Sequence, residues 1–133
     1  MDYTSKSHSK YLLIVHLIFV TKYRKSLLIK YGSEMKLLLK DISEEKGFKI
    51  ISIEVDNNHV HLLISYSPKY SVLEIVRILK QISTYRIWRQ NNNHIYLGSQ
   101  FWKEKTFWSD GYFACSIGNV SKETIQRYIE SQG

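Results

Sequence analysis

The stretch from Phe48 to Ser65 constrains the fold of this chain more than any other. Ile51, Ile53 and Val55 alternate with Ser52, Glu54 and Asp56, the two-residue period of a strand with one buried face. Asn57-Asn58 follows as a pair suited to a hairpin turn, and His59 to Ser65 returns as the second strand. A hairpin of this kind needs further layers to cover its apolar face, and both flanks supply helices. Between Gly32 and Lys46, the residues Met35, Leu38, Leu39 and Ile42 recur at helical spacing, and Gly47 stands where a helix C-terminal cap belongs. On the other side, Ser71-x-x-Glu74 is a capping box. It opens a second helix running to about Arg89, with Leu73, Val76, Leu79 and Ile82 along its apolar row.

The outer segments complete a repeating plan. An apolar run from Tyr11 to Thr21 predicts a first strand, followed by the basic corner Lys22-Tyr23-Arg24-Lys25. Asn91 to Asp110 is the least regular part, and Gly111 leads into a last strand at about Tyr112 to Ile117. Gly118-Asn119 turns the chain, and Ser121 caps a short final helix. The order is strand, helix, strand, strand, helix, strand, helix. Its first six elements predict an α+β fold of the ferredoxin-like βαββαβ type, an antiparallel sheet with helices packed on it, plus a C-terminal helix. A length of 133 residues with one proline and six glycines fits a single domain over 1–133, without linkers.

Charge narrows the partners. Nineteen Lys and Arg against 12 Asp and Glu give a net +7, which favours a polyanion. Ten tyrosines and three tryptophans add rings on which unpaired bases can stack, so single-stranded nucleic acid suits the composition. The longest apolar run falls short of the roughly 20 residues of a membrane span. Met1 to Lys10 is polar and no cleavage site follows, so the expectation is a cytoplasmic protein without membrane contact. The single cysteine, Cys115, excludes an intrachain disulfide and a multi-cysteine zinc site. It sits in a strand-like setting that predicts a small buried side chain rather than a reactive thiol.

Two constellations carry chemistry. In His59-Val60-His61 the imidazoles are two apart on a strand, so they share a face and can converge on a metal. On the last helix Tyr128 and Gln132 are four apart and share a face with Thr124, while Ile125 and Ile129 lie beside them as anchors. Tyr128 can serve as a nucleophile and Gln132 as an oxygen ligand. Each pattern alone is short and common. His16, among Ile14, Ile18 and Val20, is expected to be a core histidine, and His8 and His94 to face solvent. Lys22, Arg24 and Lys25 suit phosphates or solvent equally. Arg86 and Arg89, near Trp88 and Trp102, and Lys103 and Lys105 in the aromatic stretch are candidate DNA contacts.

Four segments together resemble the IS200/IS605 transposases, part of the wider His-hydrophobic-His class of single-strand nucleases. They are His8-Ser9-Lys10-Tyr11 through Lys22-Tyr23-Arg24, Asn58 through Ile64, Phe107-Trp108-Ser109-Asp110-Gly111-Tyr112-Phe113, and Glu123 through Gln132. The resemblance implies that His59 and His61 are a metal-binding pair, Tyr128 the catalytic tyrosine and Gln132 the third metal ligand. It implies magnesium or manganese as cofactor, a 5′-phosphotyrosine intermediate, and single-stranded DNA with hairpin-containing element ends as substrate. It also implies a homodimer in which the histidines of one chain meet the tyrosine of the other. Where the family usually carries Pro-Asp before the first histidine, this chain has Asn57-Asn58. A replication-type nickase would share the histidines but commonly has a lysine three residues after the tyrosine, where this chain has Ser131. The end of the chain just after Gln132 fits the insertion-sequence type rather than its repeat-associated relatives. A non-catalytic binding domain on the same fold would explain charge and aromatics, but not Tyr128 with Gln132.

Overall fold

The computed structural model describes residues 4–6, 9–11, 13–116 and 122–132. In chain order the elements are β1 (Thr4–Lys6), β2 (Ser9–Tyr11), β3 (Leu13–Val20), a 3-10 turn (Lys22–Arg24), α1 (Leu27–Lys46), β4 (Lys49–Val55) and β5 (His59–Tyr66). Then come α2 (Val72–Arg89), α3 (Asn93–Gln100), β6 (Phe113–Ser116) and α4 (Lys122–Ser131). β1 and β2 pair as a small separate ladder. The main sheet has the order β4-β5-β3-β6, with every neighbouring pair antiparallel. With β3, β4, β5 and β6 as its four strands, this is the ferredoxin-like βαββαβ arrangement that the sequence predicts.

Alternation along the strands builds two layers on opposite faces. Val15, Leu17 and Phe19 of β3 and Val60, Leu62 and Ile64 of β5 point into one core with Met35, Leu39 and Ile42 of α1 and Ile75 and Leu79 of α2. Each large apolar side chain fully buried there contributes about 1.5–3 kcal/mol. The opposite face of β3 carries Ile18 and Val20, which bury against Ile129 of α4. The sheet is thus covered by α1 and α2 on one side and by α4 on the other. No described helix is long and apolar enough to cross a membrane.

Local details depart from the sequence reading where packing outweighs pattern. α1 begins at Leu27 rather than Gly32, because Leu27, Leu28 and Tyr31 are buried and extend the same apolar face by a further turn. It ends as expected at Gly47, whose φ of 86° is the left-handed cap conformation. β4 does not keep strict alternation: its register slips between Ile50 and Ser52. Ile50, Ile53 and Val55 therefore pack on the core, while Ile51 turns outward and is exposed. The capping box forms in full, with Glu74 N donating to Ser71 Oγ and Ser71 N donating to Glu74 Oε1. The irregular stretch contains one more helix, α3, seated by buried Leu97 and by Asn93, whose side-chain amide donates to Glu34 Oε2 and Ile87 O. His8, the Gly118-Asn119 turn, the Ser121 cap and the side chains of Thr124 and Ile125 lie outside the described residues.

Candidate active site

β5 places Val60, Leu62 and Ile64 in the core and turns His59 and His61 to the opposite face, where their ring centroids lie 5.0 Å apart. Both rings are held by the same nitrogen. His59 Nδ1 is 2.9 Å from Asn58 Oδ1, and His61 Nδ1 is 3.2 Å from His16 Nε2. Each Nε2 is thereby left for another partner; that of His59 lies 3.9 Å from Asp56 Oδ2. Burial lowers the pKa of both histidines, with Asp56 opposing the shift at His59. At His61 the neighbouring His59 and His16 lower it further, against Glu54 and Asp56. The neutral imidazole favoured in this way is the form that ligates a metal.

His16 corrects the sequence reading. It is half-buried on the α4 face of the sheet, with its ring stacked on His61 at 5.4 Å, and is not a histidine of the main core. The apolar neighbours Ile18 and Val20 suggested burial. They do lie on the same face as His16, but that face is the one shared with the histidine pair. Its partner on β5 lies 45 residues away, a pairing that no local pattern contains.

Tyr128 reaches this face from α4. Its ring packs on Phe113 with centroids 5.6 Å apart, and Ile129 beside it is buried. Arg24 Nη1 donates to Glu130 O at 3.0 Å and so ties the end of α4 to the basic corner. The Tyr128 hydroxyl is buried with no hydrogen-bond partner among the described residues. It lies close to Gly111, where an added Cβ would sit 3.5 Å from the hydroxyl and 3.2 Å from Gln132 Oε1. A side chain at Gly111 would touch the tyrosine at ordinary contact distance and would press the glutamine amide back by a few tenths of an ångström.

Burial, with Tyr112 adding to it, pushes the Tyr128 phenol up to about 12 from an ordinary 10.0. A raised acid pKa in the folded state means the seat is most stable below pH 10 and loses stability as pH rises from 10 toward 12. Ultraviolet titration of the wild type minus Tyr128→Phe should show one phenol ionising well above the ordinary value, together with release of α4. A difference midpoint at the ordinary value would mean that the ring is not seated.

The two pairs are brought onto one face but not together. Phe113, Ile18 and His61 form a single row across β6, β3 and β5, so Phe113, on which Tyr128 packs, stands two strand spacings, about 10 Å, from His61. Among the described residues no three His, Cys, Asp or Glu side chains form a metal-binding group, and the Gln132 amide lies against Gly111.

The candidate DNA contacts are dispersed. Lys22 pairs with Asp110 at 3.6 Å, and Lys25 lies over the Phe101 ring at 5.8 Å. Arg86 forks onto Glu45 at 2.7 and 3.0 Å, Arg89 lies over Tyr85 at 4.4 Å, and Lys103 lies over the exposed Trp102 at 5.3 Å. Arg89 and Lys105 line a cleft of about 1190 Å³ between α2 and the 105–112 segment, together with Arg77, Lys80 and Tyr85. The last three were missed from sequence, although Arg77, Lys80 and Thr84 lie at helical spacing. Lys80 is held near a pKa of about 8 by burial, and its ammonium donates to Ser109 O at 2.7 Å and Gly111 O at 2.5 Å. Cys115 is half-buried, and burial raises its thiol pKa. His94 is exposed, as expected.

A four-stranded antiparallel sheet with a histidine pair on one strand and a tyrosine helix over the same face is the framework of a tyrosine transposase. Residues 9–132 match the family described as IS200-like transposases, and the chain belongs to this IS200/IS605 family. It is 32% identical over 123 residues to the ISDra2 transposase TnpA of Deinococcus radiodurans, covering 92% of this chain and 85% of that protein. It is 28% identical over 135 residues to the IS200 insertion-element transposase of Salmonella typhimurium, covering 98% and 84%. The crystal structure of a candidate transposase from Deinococcus radiodurans R1 superposes with a TM-score of 0.84 at 28% identity over 97% of both chains. A REP-associated tyrosine transposase bound to a REP hairpin shares the fold at a TM-score of 0.56 and 12% identity, over 96% of this chain and 70% of that one.

Proposed function

We propose that this transposase cleaves and rejoins single-stranded DNA at insertion-sequence ends, with Tyr128 as nucleophile and a magnesium or manganese ion held by His59, His61 and Gln132. The carrying observation is the pair of imidazoles whose Nδ1 atoms are both engaged, which turns both Nε2 atoms, that of His59 3.9 Å from Asp56 Oδ2, to the face that also bears Tyr128. Two neutral imidazoles fit such an ion, and an amide oxygen with phosphate oxygens favours a hard cation. When bound, the ion would draw charge from the phosphate under attack. Tyr128 Oη attacks phosphorus in line and loses its proton, while the O3′ bond breaks and that oxygen leaves as a 3′-hydroxyl. The 5′-phosphotyrosine keeps the bond energy for a second 3′-hydroxyl, which attacks, takes the phosphate and returns the phenol.

The cleft beside α2, with Arg77, Arg89 and Lys105 for phosphates and Tyr85 for stacking, suits a single strand better than a rigid duplex. Hairpin-containing ends accord with the REP hairpin held by the structural neighbour. The test is incubation with labelled single-stranded DNA carrying the element ends. A covalent adduct should form with magnesium or manganese and disappear with chelator. His59→Ala should abolish it at ordinary metal concentrations, and Gln132→Ala should do less harm because water can replace a neutral oxygen ligand. Undiminished adduct in chelated protein would sink the metal role.

A further inference from the structure

We infer that His16 is a positioning residue that fixes the tautomer of His61: its Nε2 accepts a hydrogen bond from His61 Nδ1–H and so leaves His61 Nε2 bare on the open face. The inference rests on the metal reading above, because a shared ion is what asks both rings for the same nitrogen; the spectra below read the tautomer by itself.

The sheet sets the contact. β3 and β5 pair with Ile18 opposite His61 and His16 opposite Leu63, so His16 and His61 are diagonal neighbours on one face. Their rings stack at an interplanar angle of 26°, and the nitrogens approach to 3.2 Å. A nitrogen pair at that distance between neutral imidazoles is one donor and one acceptor. Two assignments are open for His61, and the ion proposed for the pair decides between them. With the Asn58 amide oxygen facing it, a neutral His59 carries its proton on Nδ1, and its Nε2, 3.9 Å from Asp56 Oδ2, is bare. For both rings to offer Nε2 to one ion, His61 must be protonated at Nδ1, and His16 Nε2 is then the acceptor. A metal ligated by one nitrogen of an imidazole needs the other held in this way, and such outer partners orient the ring and raise its basicity.

The residue types are what this task requires. An aliphatic side chain at position 16 would leave the half-buried Nδ1 without a partner and free His61 to exchange tautomers. A carboxylate would accept equally well but would add a charge beneath the pair. The neutral imidazole accepts without altering the charge of the site. Asn58 performs the same office for His59 from the hairpin turn, where the family usually has an acid.

The experiment reads the tautomer directly. Long-range proton–nitrogen spectra of metal-free, 15N-labelled protein should show His61 protonated at Nδ1 in the wild type. In His16→Leu the Nε2–H form that free histidine prefers should appear. His16→Gln places an amide oxygen near the position of Nε2 and should restore the wild-type pattern. Manganese affinity, followed by paramagnetic resonance without DNA, should fall about 10- to 100-fold in His16→Leu and recover most of the way in His16→Gln. Thermal melting of both variants separates this role from a merely structural one, which would lower stability and leave affinity and tautomer unchanged. The inference is overturned if His61 keeps its Nδ1 proton in His16→Leu, or if His16→Gln behaves like His16→Leu. If the wild type binds no manganese, the metal reading fails while the spectra still decide the role of His16.

Discussion

Tyr128→Phe is expected to form no covalent adduct with single-stranded DNA while staying folded and still binding it. The change removes one oxygen and keeps the ring on Phe113. Its effect on stability has an unusual sign. The hydroxyl is buried and makes no hydrogen bond among the described residues, and an unsatisfied buried polar atom costs about 1–3 kcal/mol. Part of that cost is relieved in the phenylalanine variant, whose melting temperature should equal or exceed that of the wild type. A reactive group kept in an unfavourable seat is what a nucleophile that must leave it would show. With its pKa pushed up to about 12 where it rests, the phenol is protonated there at neutral pH, and as the proposed nucleophile it has to give up that proton in the reaction. An adduct at wild-type level in Tyr128→Phe would remove Tyr128 from the chemistry. A lower melting temperature would show instead that the hydroxyl has a partner in solution.

Much of this arrangement is legible in the sequence because it is local. The His59 and His61 faces follow from strand period, the Ser71 cap from its spacing to Glu74, and the common side of Tyr128 and Gln132 from helix period. What was not legible depends on residues far apart in the chain. The meeting of His16 with His61 is set by the β3–β5 register, and the outward turn of Ile51 by a slip against β5. α3 is short and seated largely by Leu97 and by the Asn93 amide on Glu34 of α1, so it carries too few apolar positions to show a period. The segment Phe107 to Gly111 illustrates both sides. Its resemblance to the family is plain, but its physical purpose appears only in the fold. Phe107 and Trp108 are buried, Ser109 N donates to Val20 O, and Gly111 lies against Tyr128 and Gln132. Lys80 holds the same segment from beneath.

A mixture of Tyr128→Phe and His61→Ala protein, each inactive alone, should recover cleavage when the subunits exchange. The geometry motivates this. Within one chain the tyrosine packs on Phe113 of β6, which lies two strands away from His61, with its hydroxyl toward Gly111. The segment between β6 and α4 contains Gly118-Asn119. A two-fold dimer would bring each α4 to the other chain's histidines, and sheet edges are natural surfaces for such a contact. In that trans arrangement, a mixed dimer has one site with both His61 and Tyr128 intact and one site lacking both. With random pairing half the dimers are mixed and half of their sites are whole, so cleavage should return to about a quarter of wild type. If the tyrosine instead serves the histidines of its own chain, every site lacks one part and recovery is nil. Subunit exchange verified by differently tagged chains, with no recovered cleavage, would reject the shared site and leave the roles of Tyr128 and the histidine pair standing.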